Sequence, residues 1–561
     1  MRNRLSSHLL ILLALVAIEV VGYYAIHRAS LLRGYETSLI GAARDLLLFL
    51  PIIVMAIWVS AVKKFKGNWV LFTAAILLFG IGMLIQYRLY SDPEYNARNK
   101  SAARQEKTQT LRMRYINKNY DAAKRQMMGL PAQPPPLEQE APVKPAGYTV
   151  WNALTSSYTW IPVVSLAAFA LAFSFCINDR FLSWIQRNSF IVVLLTLLPL
   201  GVAIVYSSAG KAVGNTTPWE PAKVPFLLGF AGILTARYKD LGRTYWGIPR
   251  ARDIIPLIVM AIIPFIPFFA LKDFGQMLIF SGAYATLYLV AVRRWPQLLL
   301  FVGSVFFVIS ILVIGALPRD IQEKVPLLPT MARPIQHALP ARIQQRFHLW
   351  LDGFDPPSPE VSWWKKEYDE ALEKDPKLKE LAAESEAMKR SVNTDIWFDK
   401  LAFQPAQAIF GIASGKTTGR GLGLGFPEVI PIADSDYVYA AISEEMGLIG
   451  GGLVVLAVII FVIAGIRTSI EARDMFTKLC AAGLTAFVGI QALVNIGGIT
   501  RALPMTGITL PFVSHGGFSL ITSFTMLGML MAFSHRNAYD ARVVARIERE
   551  PEPSIDLEAV Q

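Results

Sequence analysis

The chain has 561 residues, of which 53% are hydrophobic and only 17% charged, with a mean hydropathy of +0.42. That balance excludes an ordinary soluble domain and points to a protein that crosses a membrane several times. The formal charge of +12 does not imply a nucleic-acid partner, because many basic residues sit in short loops between apolar runs, where they set orientation.

Apolar runs long enough to cross a bilayer, roughly 17–25 residues each, begin near residues 8, 45, 68, 159, 190, 220, 253, 275, 296, 445, 475 and 511. The expected fold class is an all-α polytopic membrane protein of about twelve transmembrane helices. The run at 220–236 is short, and 253–271 carries Pro256, Pro264 and Pro267, which a span tolerates where neighbours satisfy the freed backbone. The N-terminal M-R-N-R-L-S-S-H and the run after it lack an A-x-A-like cleavage site, so they read as a retained helix. Cys176 and Cys480 make neither a disulfide framework nor a metal spacing.

With Arg2 and Arg4 inside, the basic clusters at 63–66, Arg180 and Arg187, 237–252, Arg293–Arg294, Arg467–Arg473 and the tail 535–546 all fall on the cytoplasmic side. Both termini are then cytoplasmic. Two long polar segments lie outside. The chain divides into N-terminal transmembrane helices (1–86), an extracytoplasmic polar and Pro-rich loop (87–150), core transmembrane helices (151–317), a large extracytoplasmic loop with a helical insertion (318–436), C-terminal transmembrane helices (437–535) and a cytoplasmic tail (536–561). In the first loop, a charged helical stretch gives way to an extended Pro/Gln-rich linker. In the second, D-P-K-L-K-E-L-A-A-E-S-E-A-M-K-R (375–390) starts a solvated helix with Asp375 as cap and Pro376 at its first position. Trp363–Trp364–Lys365–Lys366 suits either the membrane interface or a buried contact.

Five segments could carry chemistry. In T-P-W-E-P-A-K (217–223), Thr217 and Glu220 match a capping box with Pro218 at the first helical position. Glu220 and Lys223 can pair one turn apart, and a lysine at the outer rim could hold a phosphate oxygen. Asp273 in K-D-F-G-Q (272–276) reads first as a helix cap. The glycines of G-R-G-L-G-L-G (419–425) lack the strand–loop–helix context of a nucleotide site and read as a flexible rim beside a cleft. The stretch I-P-I-A-D-S-D-Y-V-Y-A-A-I-S-E-E-M-G (430–447) leads a polar loop into an apolar run. Asp434, Ser435 or Asp436 could cap that helix. A cap does not explain Glu444 and Glu445 further in, and acids at such depth are costly and functional by default. Finally, the prolines, glycines and hydroxyls of 498–520 imply irregular backbone that packs in protein or lines a cavity.

Taken in order, these segments resemble the SEDS family (shape, elongation, division and sporulation proteins), which includes FtsW and RodA. The family's I-P-x-x-x-[ST]-D-F-I-F-A run before E-E-x-G is similar to I-P-I-A-D-S-D-Y-V-Y-A-A-I-S-E-E-M-G, and its P-F-x-S-Y-G-G-S-S to P-F-V-S-H-G-G-F-S. Its Q-P-S-E-x-x-K resembles T-P-W-E-P-A-K, and its D-L-G-T resembles D-F-G-Q. Q-Q-R-F-H-L-W-L-D-G-F-D-P (344–356) and 403–423 also look like family stretches, and the likeness spans roughly residues 155–535. The first spans resemble the extra N-terminal helices of longer members. His515 stands where tyrosine is usual, Phe518 for serine, Lys416 for glycine, Gln276 for threonine and Thr217 for glutamine. Residues 357–400 look like an insertion.

The resemblance implies a peptidoglycan glycosyltransferase in the bacterial plasma membrane. It would polymerise lipid II (an undecaprenyl-diphosphate-linked disaccharide peptide) at the outer face, among membrane lipids and beside a class B penicillin-binding protein, for division or elongation. Asp436 matches the essential aspartate, and Glu220 and Lys223 match the acid–lysine pair. In the mechanism that fits, Asp436 is the general base for the acceptor hydroxyl. Lys223, Arg346 and Lys416, or a divalent cation, would neutralise the leaving diphosphate. Ser514 and His515 would line the substrate cavity, and Asp273, Glu444 and Glu445 would support it. A lipid-linked precursor flippase and a non-catalytic scaffold are the alternatives.

Overall fold

The computed structural model of the chain describes residues 2–92 (34, 62 and 63 apart), 95, 150–208, 219–241, 273–292 and 341–547, with short pieces at 244–245, 248–249, 255 and 267–268. Three long helices come first: α1 (Arg2–Leu32), α2 (Leu39–Ala61) and α3 (Val70–Ser91). The next described elements are α4 (Val150–Thr155), α5 (Ser157–Ile177), α6 (Asp179–Arg187), α7 (Ser189–Leu194), α8 (Leu197–Ser208) and α9 (Lys223–Leu241). A two-stranded antiparallel ribbon, Thr244–Tyr245 with Ile248–Pro249, follows α9, and then α10 (Phe274–Val292).

Beyond residue 340 lie α11 (Ala341–Leu351), α12 (Ser362–Lys374), α13 (Pro376–Glu384), α14 (Glu386–Trp397) and α15 (Phe403–Gly415), the last two joined by a π-helical turn. Three long helices close the chain: α16 (Val438–Glu471), α17 (Met475–Ile499) and α18 (Gly517–Ile547).

Eight of the described helices are long and apolar enough to span a membrane, nine if α6 and the chain from Ser189 to Val202, bent by 82°, count as one span. They coincide with eight of the runs expected from the sequence, and the bent pair with the run near 190. The run near 296 lies outside the described residues, as does most of the run near 253. The run near 220 forms α9, with Lys223 at its start and Arg237, Lys239 and Asp240 near its end. The bundle has an inside and a lipid side. The spans of α3 and α18 are each 83% buried, whereas that of α1 is 33% buried, with Leu10, Leu13, Ile18 and Val21 facing outward. A helix apolar all round belongs in the centre, and α3 fits that rule.

Local signals explain several boundaries. Ser156 accepts from Tyr158 N at the start of α5, Asn178 from Arg180 N at α6, and Asp474 from Thr477 N at α17. Asp375 caps α13 with Pro376 in the first turn, as its sequence predicts, but the expected single helix over 375–390 divides at Ser385, which caps α14 through Met388 N. The segment 357–400 has its own apolar centre of Trp364, Tyr368, Val392, Ile396 and Trp397. Trp364 is fully buried there and donates to Asn393 Oδ1 at 2.8 Å, so the buried contact, and not the membrane interface, holds it.

One expected cap is absent, and another lies outside the described residues. Trp219–Ala222 form turns before α9, and Thr217 and Pro218 lie outside the described residues. At α16 the capping position is Tyr437, without a side-chain cap, so neither Asp434, Ser435 nor Asp436 caps that helix. α16 is also broken at Gly447, whose φ of 66° and ψ of −164° are not helical. The break frees backbone groups, and the segment after α15 takes them up: Leu448 N donates to Lys416 O and Ile449 N to Thr417 O. A left-handed φ is routine only for glycine, so the residue type fixes where the helix breaks.

Candidate functional site

The turn over 431–437, between a 3-10 turn (Pro427–Val429) and α16, carries Asp434 and Asp436. Three residues hold it. The Asn495 amide, on α17, donates to Asp436 O at 2.9 Å and also to Ile508 O. The Ser514 hydroxyl donates to Ser435 O at 2.6 Å while accepting from Leu510 N at 2.8 Å. His515 N donates to Asp434 O at 3.0 Å. The irregular segment 500–516 is thus stitched to the aspartate turn, which gives partners to backbone groups that no helix pairs.

Asp436 retains some exposure and faces a narrow crevice of about 10 Å³ lined with Asn495, Gly498, Met505, Thr506 and Gly507. Burial raises its carboxyl to about 6; Asp434 and Asp273 act in the same direction, whereas the Ser435 hydroxyl and Arg346 oppose them. Arg346, on α11, donates to Thr506 O at 3.0 Å. A Cβ on Gly507 would lie 3.6 Å from both Arg346 Nη2 and Asp436 Oδ2, at a φ of +69°. Acid and cation therefore flank a glycine that leaves the space between them open. Gly507→Ala puts a methyl group in that space on a strained backbone. It is expected to lower turnover by about tenfold or more, the scale on which small misplacements act, with little change in the helical circular-dichroism signal.

The acid–lysine pair lies deeper. Lys223 Nζ donates to Glu220 Oε2 at 2.6 Å and to Gln491 Oε1 at 2.7 Å, and the lysine is fully enclosed, not open at a rim. Gln491 Nε2 continues to Thr509 O at 3.0 Å, and Thr509 pairs with Ser519 at 2.7 Å. Gln491 and Asn495 are four residues apart on one face of α17, so this helix ties the lysine and the aspartate to one frame. Asp273 caps α10 through Gln276 N at 3.2 Å. It is within electrostatic reach of Arg346, Glu220, Lys223 and Asp436, and burial raises its carboxyl.

Other expected site residues have different surroundings. Lys416 is exposed at the end of α15, and its carbonyl meets Leu448 N. Its surroundings are therefore the break in α16, and not the turn before that helix, which bears Asp436. His515 stacks on Tyr158 at 3.8 Å and its Nε2 lies 3.2 Å from Ser157 Oγ. Burial, with Arg44, lowers its imidazole to about 3. It is a neutral aromatic packing residue and not a lining group. Ser514 is buried with its hydroxyl committed as above.

Glu444 and Glu445 hold the glycine-rich segment. Glu445 Oε2 accepts from Gly423 N at 2.8 Å and Glu444 Oε1 from Phe426 N at 2.9 Å, while Gly421 N donates to Glu445 O. The segment is packed against α16, so the flexible-rim reading does not hold. Beneath it is a buried ionic group that sequence reasoning missed. Arg88, with 0% of its side chain exposed, donates to Glu445 Oε1 at 2.9 Å, Glu428 Oε2 at 3.0 Å, Asp92 Oδ2 at 3.0 Å and Gly425 O at 3.2 Å. Arg33 joins through Glu428 and Gly425 O. A charge in the I-Q-Y-R-L-Y run at the end of α3 was the available signal, as were Gln491 and Asn495 within α17. Among the described residues no three His, Cys, Asp or Glu side chains converge as a metal site.

This is a polytopic helical membrane protein with an acid and an arginine opposed across a glycine on irregular backbone. A family model described as "Cell cycle protein", covering FtsW, RodA and SpoVE, matches residues 392–539. It is 27% identical over 389 residues to the peptidoglycan glycosyltransferase RodA of Mycobacterium tuberculosis H37Rv, covering 66% of this chain and 68% of that one. It is 36% identical over 147 residues to the stage V sporulation protein E of Bacillus subtilis, covering 26% and 40%. A solved chain from a peptidoglycan synthase complex, 19% identical, covers 69% of this chain and 94% of that one with a TM-score of 0.44.

Proposed function

We propose that the chain is a membrane-embedded peptidoglycan glycosyltransferase that polymerises lipid II into glycan strands, with Asp436 as general base. Supporting the activity are the relatives that carry that name. The observation that carries the residue assignment is Asp436 set opposite Arg346 across Gly507. Asp436 takes the proton of the acceptor sugar's 4-hydroxyl. That oxygen bonds to the donor's anomeric carbon, and the bond to the lipid diphosphate breaks with its electron pair leaving on the diphosphate. Attack opposite the leaving group inverts the anomeric centre. Arg346 is placed to bind the anionic leaving group. Lys223, already paired on two sides, acts through its charge and its hold on the frame of α17.

The positive-inside pattern supports a site at the outer face of the plasma membrane, where lipid-linked disaccharide would be presented, and a class B penicillin-binding protein as partner would crosslink the product. The test is purified protein in lipid vesicles with lipid II, alone and with the cognate penicillin-binding protein. Glycan polymer supports the reading. Translocation of labelled lipid II without polymer would support a flippase, and partner binding with neither reaction a scaffold.

Because the base must be ionised, polymerisation is expected to be lost as pH falls through about 6, the value to which Asp436 is raised, and to level off above it. An acidic limb centred near pH 4 would mean that an unperturbed carboxylate does the work.

A further inference from the structure

We propose that Asp434, clamped by Tyr90, is a positioning residue whose negative charge sets the strength of Asp436 as a base. The inference rests on the reading of Asp436 as general base and goes beyond it. Asp434 and Asp436 lie two residues apart in one turn, and Asp434 is 6% exposed. The Tyr90 hydroxyl, at the end of α3, donates to Asp434 Oδ2 at 3.0 Å. The Asp434 carbonyl is held by His515 N at 3.0 Å. Tyr90 is itself packed: its ring lies 3.9 Å from that of Tyr158 and 6.3 Å from that of His515. The clamp therefore fixes where the second carboxylate stands.

Two carboxylates in one poorly hydrated turn resist ionising together, and each makes the other a stronger base. The groups facing the pair are known. Asp436 is within electrostatic reach of Arg346 from α11, Asp273 from the start of α10 and the Tyr437 phenol beside it. Asp434 meets Tyr90 from α3 and Tyr158 from α5, with Arg44 of α2 lying over the Tyr158 ring at 5.5 Å and paired to Asp45. His515 is neutral and adds no charge. Of the charged neighbours of Asp436, Asp434 has the largest effect, and it raises the proton affinity. A base so strengthened takes the acceptor proton more readily, at the cost of working only above about pH 6.

The experiment is the pH–rate profile of lipid II polymerisation by the full-length protein in vesicles, for the native chain, Asp434→Asn and Tyr90→Phe. Asp434→Asn keeps the shape and removes the charge. Its acidic limb is expected to move to lower pH, with the plateau rate reduced by about threefold, as a weaker base predicts. Tyr90→Phe frees the Asp434 carboxylate to turn away and moves the limb in the same direction by less. It also decides the matter if Asp434→Asn does not fold. A purely structural role lowers the rate equally at every pH, so an unmoved limb, or one displaced to higher pH, overturns the proposal. Full activity of Asp436→Asn would instead remove the base assignment, so the two failures are distinguishable.

Discussion

Asp436→Asn is expected to lower glycan polymerisation by about 10²–10⁴-fold, the usual contribution of a positioned general base, while the protein stays folded. The amide keeps the size of the carboxyl and cannot accept the proton. Folding is expected to survive because the turn is fixed through backbone: Asn495 and Ser514 bond to the carbonyls of Asp436 and Ser435, not to the acid. The sign of the stability change follows from linkage. The native carboxyl is raised to about 6 from 3.8, so ionising it disfavours the folded state, and stability falls as pH rises between those values. Above pH 6 the asparagine variant should therefore unfold at an equal or higher temperature than the native chain. The two measurements are strand length from lipid II and thermal unfolding in the same detergent. A variant that polymerises at the native rate ends the assignment.

Arg88→Met is expected to give the largest loss of stability of any single substitution considered. The side chain is wholly buried and answers Glu445, Glu428 and Asp92 together. Removing one side of a buried ionic group leaves the other charged and dry, at about 3–5 kcal/mol. Arg88→Lys should recover only part of this, because an ammonium is a point donor and cannot reproduce the planar fork that reaches four acceptors. The double change Arg88→Met with Glu445→Gln should be less damaging than the sum of the two. Unfolding temperature and the yield of monodisperse protein report the effect, and added salt should not restore it, since a buried group is poorly screened.

Much of the bundle was legible because a membrane span is written as a long uninterrupted apolar run, and α1, α2, α3, α16 and α17 each follow one. The turn bearing Asp436 was legible because an acid at the mouth of such a run is costly to place there. What remained hidden depends on contacts distant in sequence. Arg88 meets Glu428 across 340 residues and Glu445 across 357, and no local pattern reports a pairing of that range. Gln491 and Asn495 are inconspicuous in the sequence until α17 puts them on one face, towards Lys223 and the Asp436 backbone. The surroundings of Lys416, His515 and the glycine-rich segment were hidden for the same reason: they are set by the break in α16 and by the Tyr158 stack, which no local motif reports.

That break also bears on how the sequence can drift. A Cβ on Gly419 would stand 2.1 Å from Glu445 O and 2.7 Å from Gly447 N, and one on Gly447 would stand 2.2 Å from Gly419 N. Each glycine makes room for the other's main chain, so neither can gain a side chain unless its counterpart's backbone retreats. The two positions, 28 residues apart in the sequence, therefore act as a single unit: a side chain at either one displaces the other's main chain, and the helix break is disturbed with it.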